Sequence, residues 1–333
     1  MRKLLIPIIC AVLSFPVFGT PAFSGDFPDR RLKISFPWKA GGPAFVLSQI
    51  IADGMSKDLG VDISVVATPG AGGVKSFMSA FGEPADGYTI IDGWVAPLVI
   101  APIFEKADYS YQDVIPLHGA GASPFAIASR VEEDRWTDFS SLMEYMRENP
   151  GKTRFTASAE LTLPHMIAAS MLKSQNLVSR NVPYVGLFPG VKDLRGGLLD
   201  WVIVNPGVYK GNKDHLRILA VLSEDDDAVD LYDGAPKVSD FGVDIGLSGL
   251  AQMGWTWFVV KAGTPDEVVT RLRKAMSASL NNPVVQQKIA DIGFLPLDYT
   301  SDDYEQIVGQ VDKDLRDAMT GVQWLRDELK ELK

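Results

Sequence analysis

The spacing of apolar positions changes along the chain. Leu32, Ile34 and Phe36 alternate with Arg31, Lys33 and Ser35, the period of two expected of a half-buried strand. From Val46 the pattern changes. Val46, Leu47, Ile50 and Ile51 share one face at 3.6 residues per turn, which predicts an amphipathic helix. Further strands are predicted at 61–67, 88–91, 125–129, 201–204, 217–222 and 257–260. Helices are predicted from the Gly72-Gly73 turn through Phe77, over 136–149, from Pro164 to Gln175 and over 191–199. In the second of these, Phe139, Leu142, Met143 and Met146 form one face, and Asn149-Pro150-Gly151 stops it. Thr264-Pro265-Asp266-Glu267 reads as a capping box with Pro at the first helical position. Asn282-Pro283 starts another helix, and a charged helix from about Asp302 closes the chain. The acidic run 224–227 reads as a solvated loop. Strands alternating with helices predict an α/β fold with mainly parallel sheets.

Two of the predicted strand-to-helix turns are rich in glycine. Phe36-Pro37-Trp38-Lys39-Ala40-Gly41-Gly42 follows the first strand, and Pro69-Gly70-Ala71-Gly72-Gly73 follows the second. Glycine lets backbone pass close to a ligand, and a helix start leaves N–H groups without partners. Such turns hold carboxylates or phosphates without catalytic residues, so two of them predict a binder of small anions.

The N-terminus reads as a secretory signal peptide over residues 1–24. Arg2 and Lys3 precede an apolar core to Phe18, and Ala22-Phe23-Ser24 places small residues for cleavage before Gly25. The apolar run is shorter than the roughly 20 residues a spanning helix needs. Cys10 is the single cysteine and lies inside this leader. The mature chain therefore has no disulfide, thiol nucleophile or cysteine-ligated metal. About 300 remaining residues allow two lobes, and 46% hydrophobic content supports full cores. The formal charge is −10; losing Arg2 and Lys3 lowers it by two, to −12. That balance argues against nucleic acid or an anionic membrane surface as partner.

Several motifs fail on inspection. Gly70-Ala71-Gly72-Gly73-Val74-Lys75 has Lys75 where a dinucleotide fingerprint needs its third glycine. Gly151-Lys152-Thr153 ends like a phosphate-binding loop, but Met146 replaces the first glycine and Pro150 breaks the loop. His118, His165 and His215 lack metal spacing, and no Gly-x-Ser-x-Gly elbow occurs. Ser123 and Ser158 have no visible activating partner. No catalytic residue, metal or cofactor is expected, and the chain reads as a non-enzyme.

Over the mature chain, short motifs in a fixed order resemble the periplasmic substrate-binding proteins of tripartite tricarboxylate transporters, the Bug family. Segment 34–42 resembles the first ligand loop and Pro69-Gly70-Ala71-Gly72-Gly73 the second. Pro84-Ala85-Asp86-Gly87-Tyr88-Thr89 resembles the next strand entry. Val182-Pro183-Tyr184, Asp193-Leu194-Arg195-Gly196-Gly197 and Asp200 resemble the second lobe. Ala262-Gly263-Thr264-Pro265 and Asn282-Pro283-Val284-Val285 resemble the C-terminal return. The resemblance implies a type II periplasmic-binding-protein fold, two α/β lobes with a ligand cleft between them. Residues 25–125 plus 250–333 would form the first lobe and 126–249 the second. It implies a monomeric periplasmic receptor that captures a small carboxylate and delivers it to the membrane permease subunits of such a transporter. Delivery to a sensor kinase is the alternative that the sequence cannot separate; a secreted enzyme on the same fold would need a nucleophile or metal site.

The residues placed at the ligand by the resemblance and the turns are Trp38, Lys39, Gly41, Gly42, Phe45, Gly70, Ala71, Gly72, Trp94, Val95, Ser158, Ala159, Glu160, Thr162 and Asn205. Bland readings stand beside several. Trp38 and Phe45 are equally suited to packing beneath their loop, Glu160 to solvent and His165 to a structural role. Trp255 or Trp257 lines the cleft, or both are core. Four departures from the family pattern bear on the ligand. Phe45 stands where the family has Asp, and Gly93-Trp94-Val95 replaces Gly-Thr-Ser. Segment 157–162 replaces Ser-Ala-Gly-Asn-Gly-Thr and introduces Glu160 and Leu161, and Val185 replaces Lys. These changes remove donors and add apolar surface, which predicts a ligand with one carboxylate and an apolar body, with Lys39 as first charge partner.

Overall fold

The computed structural model describes residues 27–245, 247 and 254–332. The predicted leader and cleavage site lie outside the described residues. The chain opens with β1 (Leu32–Phe36), α1 (Pro43–Leu59), β2 (Ile63–Ala67), α2 (Val74–Phe81) and β3 (Thr89–Trp94). A π-helical turn, Ala96–Ile100, runs into the short α3 (Ala101–Ile103), and β4 (Val114–Ala122) follows. Next come β5 (Ala126–Arg130), α4 (Phe139–Glu148), β6 (Arg154–Thr156), α5 (Leu163–Ser174), β7 (Arg180–Asn181) and α6 (Phe188–Arg195). They are followed by β8 (Trp201–Val204), α7 (Pro206–Lys210), β9 (Leu216–Val221) and α8 (Asp226–Asp230). The chain then returns with β10 (Thr256–Lys261), α9 (Asp266–Leu280), α10 (Pro283–Asp291), β11 (Leu295–Pro296) and α11 (Tyr304–Glu331).

These strands form two sheets, ordered β11-β4-β10-β3-β1-β2 and β7-β6-β8-β5-β9. Each is covered by helices, which gives the two-lobed α/β fold. The expectation of mainly parallel sheets is corrected. β1 is parallel to β2 and β3, and β6 to β7 and β8, but β10 and β5 lie inside their sheets antiparallel to both of their neighbours. For β5 the reason is topological: it follows β4 after only three residues and so enters its sheet from the opposite lobe, without the helical crossover that a parallel strand needs.

Local sequence explains most element ends. Pro43 opens α1, and Gly60 closes it in the left-handed region at φ 73. Asp138 caps α4 by accepting from the Ser141 N–H, so that helix starts three residues after the predicted Trp136. Asn282 caps α10 with Pro283 at its first position, as predicted. Three expectations do not hold. Thr264 Oγ1 donates to the Lys261 carbonyl instead of capping α9, because Pro265 is the N-cap. The acidic run enters α8, with Asp225 accepting from the Asp227 N–H. α6 begins three residues before the predicted Val191 and ends at Arg195. β4 has no counterpart among the predicted strands. Its Pro116, Gly119 and Gly121 disguise a strand that packing against β10 requires.

One apolar core fills the second lobe and continues under the first through Phe77, Leu98, Trp255 and Trp257. Another lies between the first sheet and α1 and α9, and includes Leu47, Ile51, Trp94 and Phe258. α11 joins the lobes. Its first residue, Tyr304, packs edge-on against Trp257 at 5.0 Å and donates to the Tyr111 carbonyl. Further along, Gly321 lies against the α5 backbone, where an added Cβ would sit 3.0 Å from Ala169 C and Ser170 N. The C-terminal segment, expected to return wholly to the first lobe, thus packs on both.

Candidate ligand-binding cleft

Parallel pairing fixes where the functional loops emerge. β1, β2 and β3 share one direction, so the loops after them leave from one end of the first sheet. β6, β7 and β8 do the same for the second sheet. β4 passes into β5 through only Ser123, Pro124 and Phe125, so those two sheet ends face each other. Open α/β sheets bind ligands at such strand ends.

In the first lobe three loops meet. Gly41 has φ 95, and Gly42 precedes α1 with no side-chain cap and no acid in the first turn. Among the described residues, no partner is found for the N–H groups of Gly42 and Ala44. The second loop places Ala71, Gly72 and Gly73 all at positive φ (48, 63 and 96), and among the described residues the Ala71 and Gly72 N–H groups have no hydrogen-bond partner. Gly73 is required twice over. Its φ suits glycine, and an added Cβ would lie 2.9 Å from Pro97 Cγ and 3.0 Å from Pro37 Cβ. That close approach locks the second loop to the first and to the turn after β3. Lys39 and Lys75 are exposed beside these loops and form no ion pair among the described residues. The Lys75 stem lies over Gly70, with Cδ 3.0 Å from where a Cβ would be. The site list drawn from sequence omitted Lys75, although it stands two residues past the glycine run.

Trp94 and Val95 do not present the open faces expected of them. Trp94 is 9% exposed and meets Phe294 edge-on at 6.0 Å; Val95 is 2% exposed in the opposite core. Both are corrected from cleft walls to core beneath the loop: Trp94, the last residue of β3, joins the core on one side of the sheet, and Val95, in the helical turn that follows, joins the other. Trp255 and Trp257 are core as well. Trp38 and Phe45 are half-buried; Phe45 packs edge-on against Phe36 at 5.3 Å and keeps part of its surface open.

Below loop one lies a buried carboxylate. Asp92 is fully buried and accepts hydrogen bonds from Ser48 Oγ of α1 (2.5 Å) and from Thr256 Oγ1 at the start of β10. Burial pushes its pKa up to about 6 against the pull of these hydroxyls. It ties the helix behind loop one to the strand that re-enters the first lobe. A charged residue within an apolar strand run was the available signal for it.

In the second lobe, the loop after β6 is held by its own backbone. Ser158 and Leu161 stand at φ 72 and 59, strained conformations for residues with a Cβ, at about 1–3 kcal/mol each. The Thr162 hydroxyl donates to the Ala157 and Ala159 carbonyls (3.1 and 2.8 Å), so it is occupied inside the loop. The Leu161 N–H donates to Nδ1 of buried His165 at 3.2 Å. Burial lowers the His165 pKa to about 4, which keeps the ring neutral and able to accept. This is the structural role foreseen for it. The Tyr184 N–H donates to the Ser158 carbonyl at 3.2 Å and joins the loop after β7 to this one. Ser158 and Ala159 are half-buried at the loop crest. The Glu160 carboxylate is turned to Arg326 of α11 at 2.9 Å, away from the strand ends. Asn205 caps α7, its Oδ1 accepting from the Val208 N–H at 2.9 Å, which leaves its Nδ2 for other contacts.

The two sets of loops come together at one edge, where Gly207 of α7 abuts Pro43 of α1. Asn205 and Gly42 are thereby neighbours across the lobes. Among the described residues no three His, Cys, Asp or Glu side chains group as metal ligands. Such an arrangement can hold an anion by backbone N–H groups and lysines, enclosed from two sides.

Two α/β lobes with opposed strand ends form a two-lobed fold with a cleft between them. The chain belongs to the receptor family of tripartite tricarboxylate transporters: the description "Tripartite tricarboxylate transporter family receptor" matches residues 47–317. It is 27% identical over 270 residues to a "UPF0065 protein in tcbD-tcbE intergenic region" of Pseudomonas sp. (strain P51), covering 80% of this chain and 79% of that one. Among solved structures it is similar to R. palustris Rpa4515 with adipate, at TM-score 0.75 and 23% identity over 89% of this chain and 98% of that one. It is also similar to MatC from Rhodopseudomonas palustris with bound malate, at TM-score 0.74 and 21% identity over 88% and 99%. No helix among the described residues is long and apolar enough to cross a membrane.

Proposed function

We propose that this chain is a periplasmic receptor that captures a small carboxylate between its lobes and presents it to the permease of a tripartite tricarboxylate transporter. The first lobe would comprise 25–125 plus 250–333 and the second 126–249, with α11 shared. The observation that carries this reading is that the N–H groups of Gly42, Ala44, Ala71 and Gly72, in adjoining loops, have no partner among the described residues, and that Lys39 and Lys75 of the same loops form no ion pair among them. An anion there gains charge-assisted hydrogen bonds. Gly41, Gly70, Ser158, Ala159 and Asn205 complete the proposed contacts.

The related structures carry the dicarboxylates adipate and malate. Here Phe45 and Leu161 stand half-buried beside the loops, and the Thr162 hydroxyl is already spent within its own loop. Fewer donors and more apolar surface favour a ligand with one carboxylate and an apolar body. Lost donors cost a second carboxylate about 1–3 kcal/mol each. Apolar burial contributes a similar amount for the body, at about 25 cal/mol per Å².

A thermal-shift panel of citrate, C4-dicarboxylates, benzoate-type acids and branched aliphatic acids tests this. The apolar monoacids should stabilise the protein most, and Lys39→Met or Lys75→Met should each lower their affinity about 2- to 5-fold. Selective stabilisation by citrate would overturn the ligand type.

A further inference from the structure

α7 meets the first lobe at two points. A Cβ built on Gly207, its second residue, would lie 3.0 Å from Pro43 Cγ at the first position of α1. A Cβ on Gly293, in the turn between α10 and β11, would lie 3.1 Å from Pro206 Cβ and 3.5 Å from the Gly207 nitrogen. The start of α7 is therefore seated in a notch between the start of α1 and that turn. Carbon contacts are optimal at about 3.5–4.0 Å, so a methyl group at position 207 requires Pro43 or the lobes to give way by a few tenths of an ångström. Gly293 has φ 86 and is needed for its own turn. Gly207 lies inside a right-handed helix and has no such need. The approach of Pro43 is the reason at position 207 for having no side chain.

We infer that Gly207, seated against Pro43, sets the closing distance of the two lobes and hence the room left for ligand. It is a positioning residue: it neighbours Asn205 and Gly42 and touches no ligand itself. The inference rests on the reading that the ligand lies between the lobes, but the quantity it concerns, lobe separation, is measurable without any ligand. If the closed form is the binding-competent one, spreading the lobes raises the apparent dissociation constant by the inverse of the closed fraction.

The test uses spin labels on exposed positions of α2 and α6, Ser79→Cys and Lys192→Cys, in a Cys10→Ser background. Pulsed electron–electron resonance on the purified full chain, without added ligand, reads the distance distribution. The wild type should show the compact separation of this structure. Gly207→Ala should depopulate it, and Gly207→Val should abolish it. Pro43→Ala leaves the former Cβ position 3.7 Å from position 207, so adding it to Gly207→Ala should restore the compact distance. Gly211→Ala, at the end of the same helix with its nearest neighbour at 3.5 Å, should change nothing. Unchanged melting curves for Gly207→Ala separate closure from folding, and the Pro43→Ala rescue decides the matter even if the valine variant does not fold. A compact distance retained in Gly207→Ala, absent in the wild type, or not restored by Pro43→Ala would overturn the inference. A ligand panel without hits would leave these distances untouched and would bear on the functional reading alone.

Discussion

Asp92 shows how one residue couples the loop region to the rest of the lobe. Its folded pKa, about 6, lies above the ordinary range of an aspartate because the carboxylate is buried. An acid that binds its proton more tightly when folded adds stability that is fully present below the unfolded pKa. That stability is lost as pH rises through about 6. The contribution is of order 3 kcal/mol. Asp92→Asn keeps an acceptor and a donor for Ser48 and Thr256 and does not titrate. Urea midpoints should therefore fall more for the wild type than for Asp92→Asn between pH 4.5 and 8. Parallel pH profiles would mean that the carboxylate is solvated in solution. Residue-level reading of the sequence singled out the glycines and Lys39 of the loops but neither Lys75 nor this acid, whose burial depends on α1 and β10 closing over it.

At the scale of elements, the glycine-rich turns differ from ordinary helix ends in what they touch. Gly60 also has positive φ, but nothing lies within 4 Å of its added Cβ, whereas Gly73 meets two prolines of neighbouring loops. Gly60→Ala should cost about 1 kcal/mol through φ strain alone, with carboxylate affinity unchanged. Gly73→Ala should cost a similar amount in stability and, in addition, displace the first and third loops. Titration calorimetry with the acid that best stabilises the wild type should show affinity falling at least tenfold for Gly73→Ala and staying constant for Gly60→Ala. Equal affinities would reduce the second loop to a plain turn. The existence and type of most elements were legible, since β1, α1, β8, α10 and α11 carry clear periods or caps. β4 was not. Its prolines and glycines give no period, and only its neighbours make it a strand.

For the whole molecule, α11 is the element that spans both lobes. Gly321 is pressed against the α5 backbone, which cannot move aside as a side chain can. Gly321→Val should cost about 1–3 kcal/mol by overpacking. The exposed Arg326–Glu160 pair (2.9 Å) should contribute under about 1 kcal/mol, so Arg326→Ala should melt within a degree or two of the wild type. A Gly321→Val protein as stable as Arg326→Ala would show that α11 docks loosely. By itself the sequence determined the α/β alternation, the two glycine turns, and the family order of motifs. All three depend on local spacing and backbone freedom. The tertiary structure alone decided the antiparallel placing of β10 and β5 inside their sheets, the burial of Trp94 and Val95, the turning of Glu160 toward Arg326, and the meeting of Gly207 with Pro43. Each of these depends on which distant surfaces pack together, and periodicity along the chain carries no record of the partner.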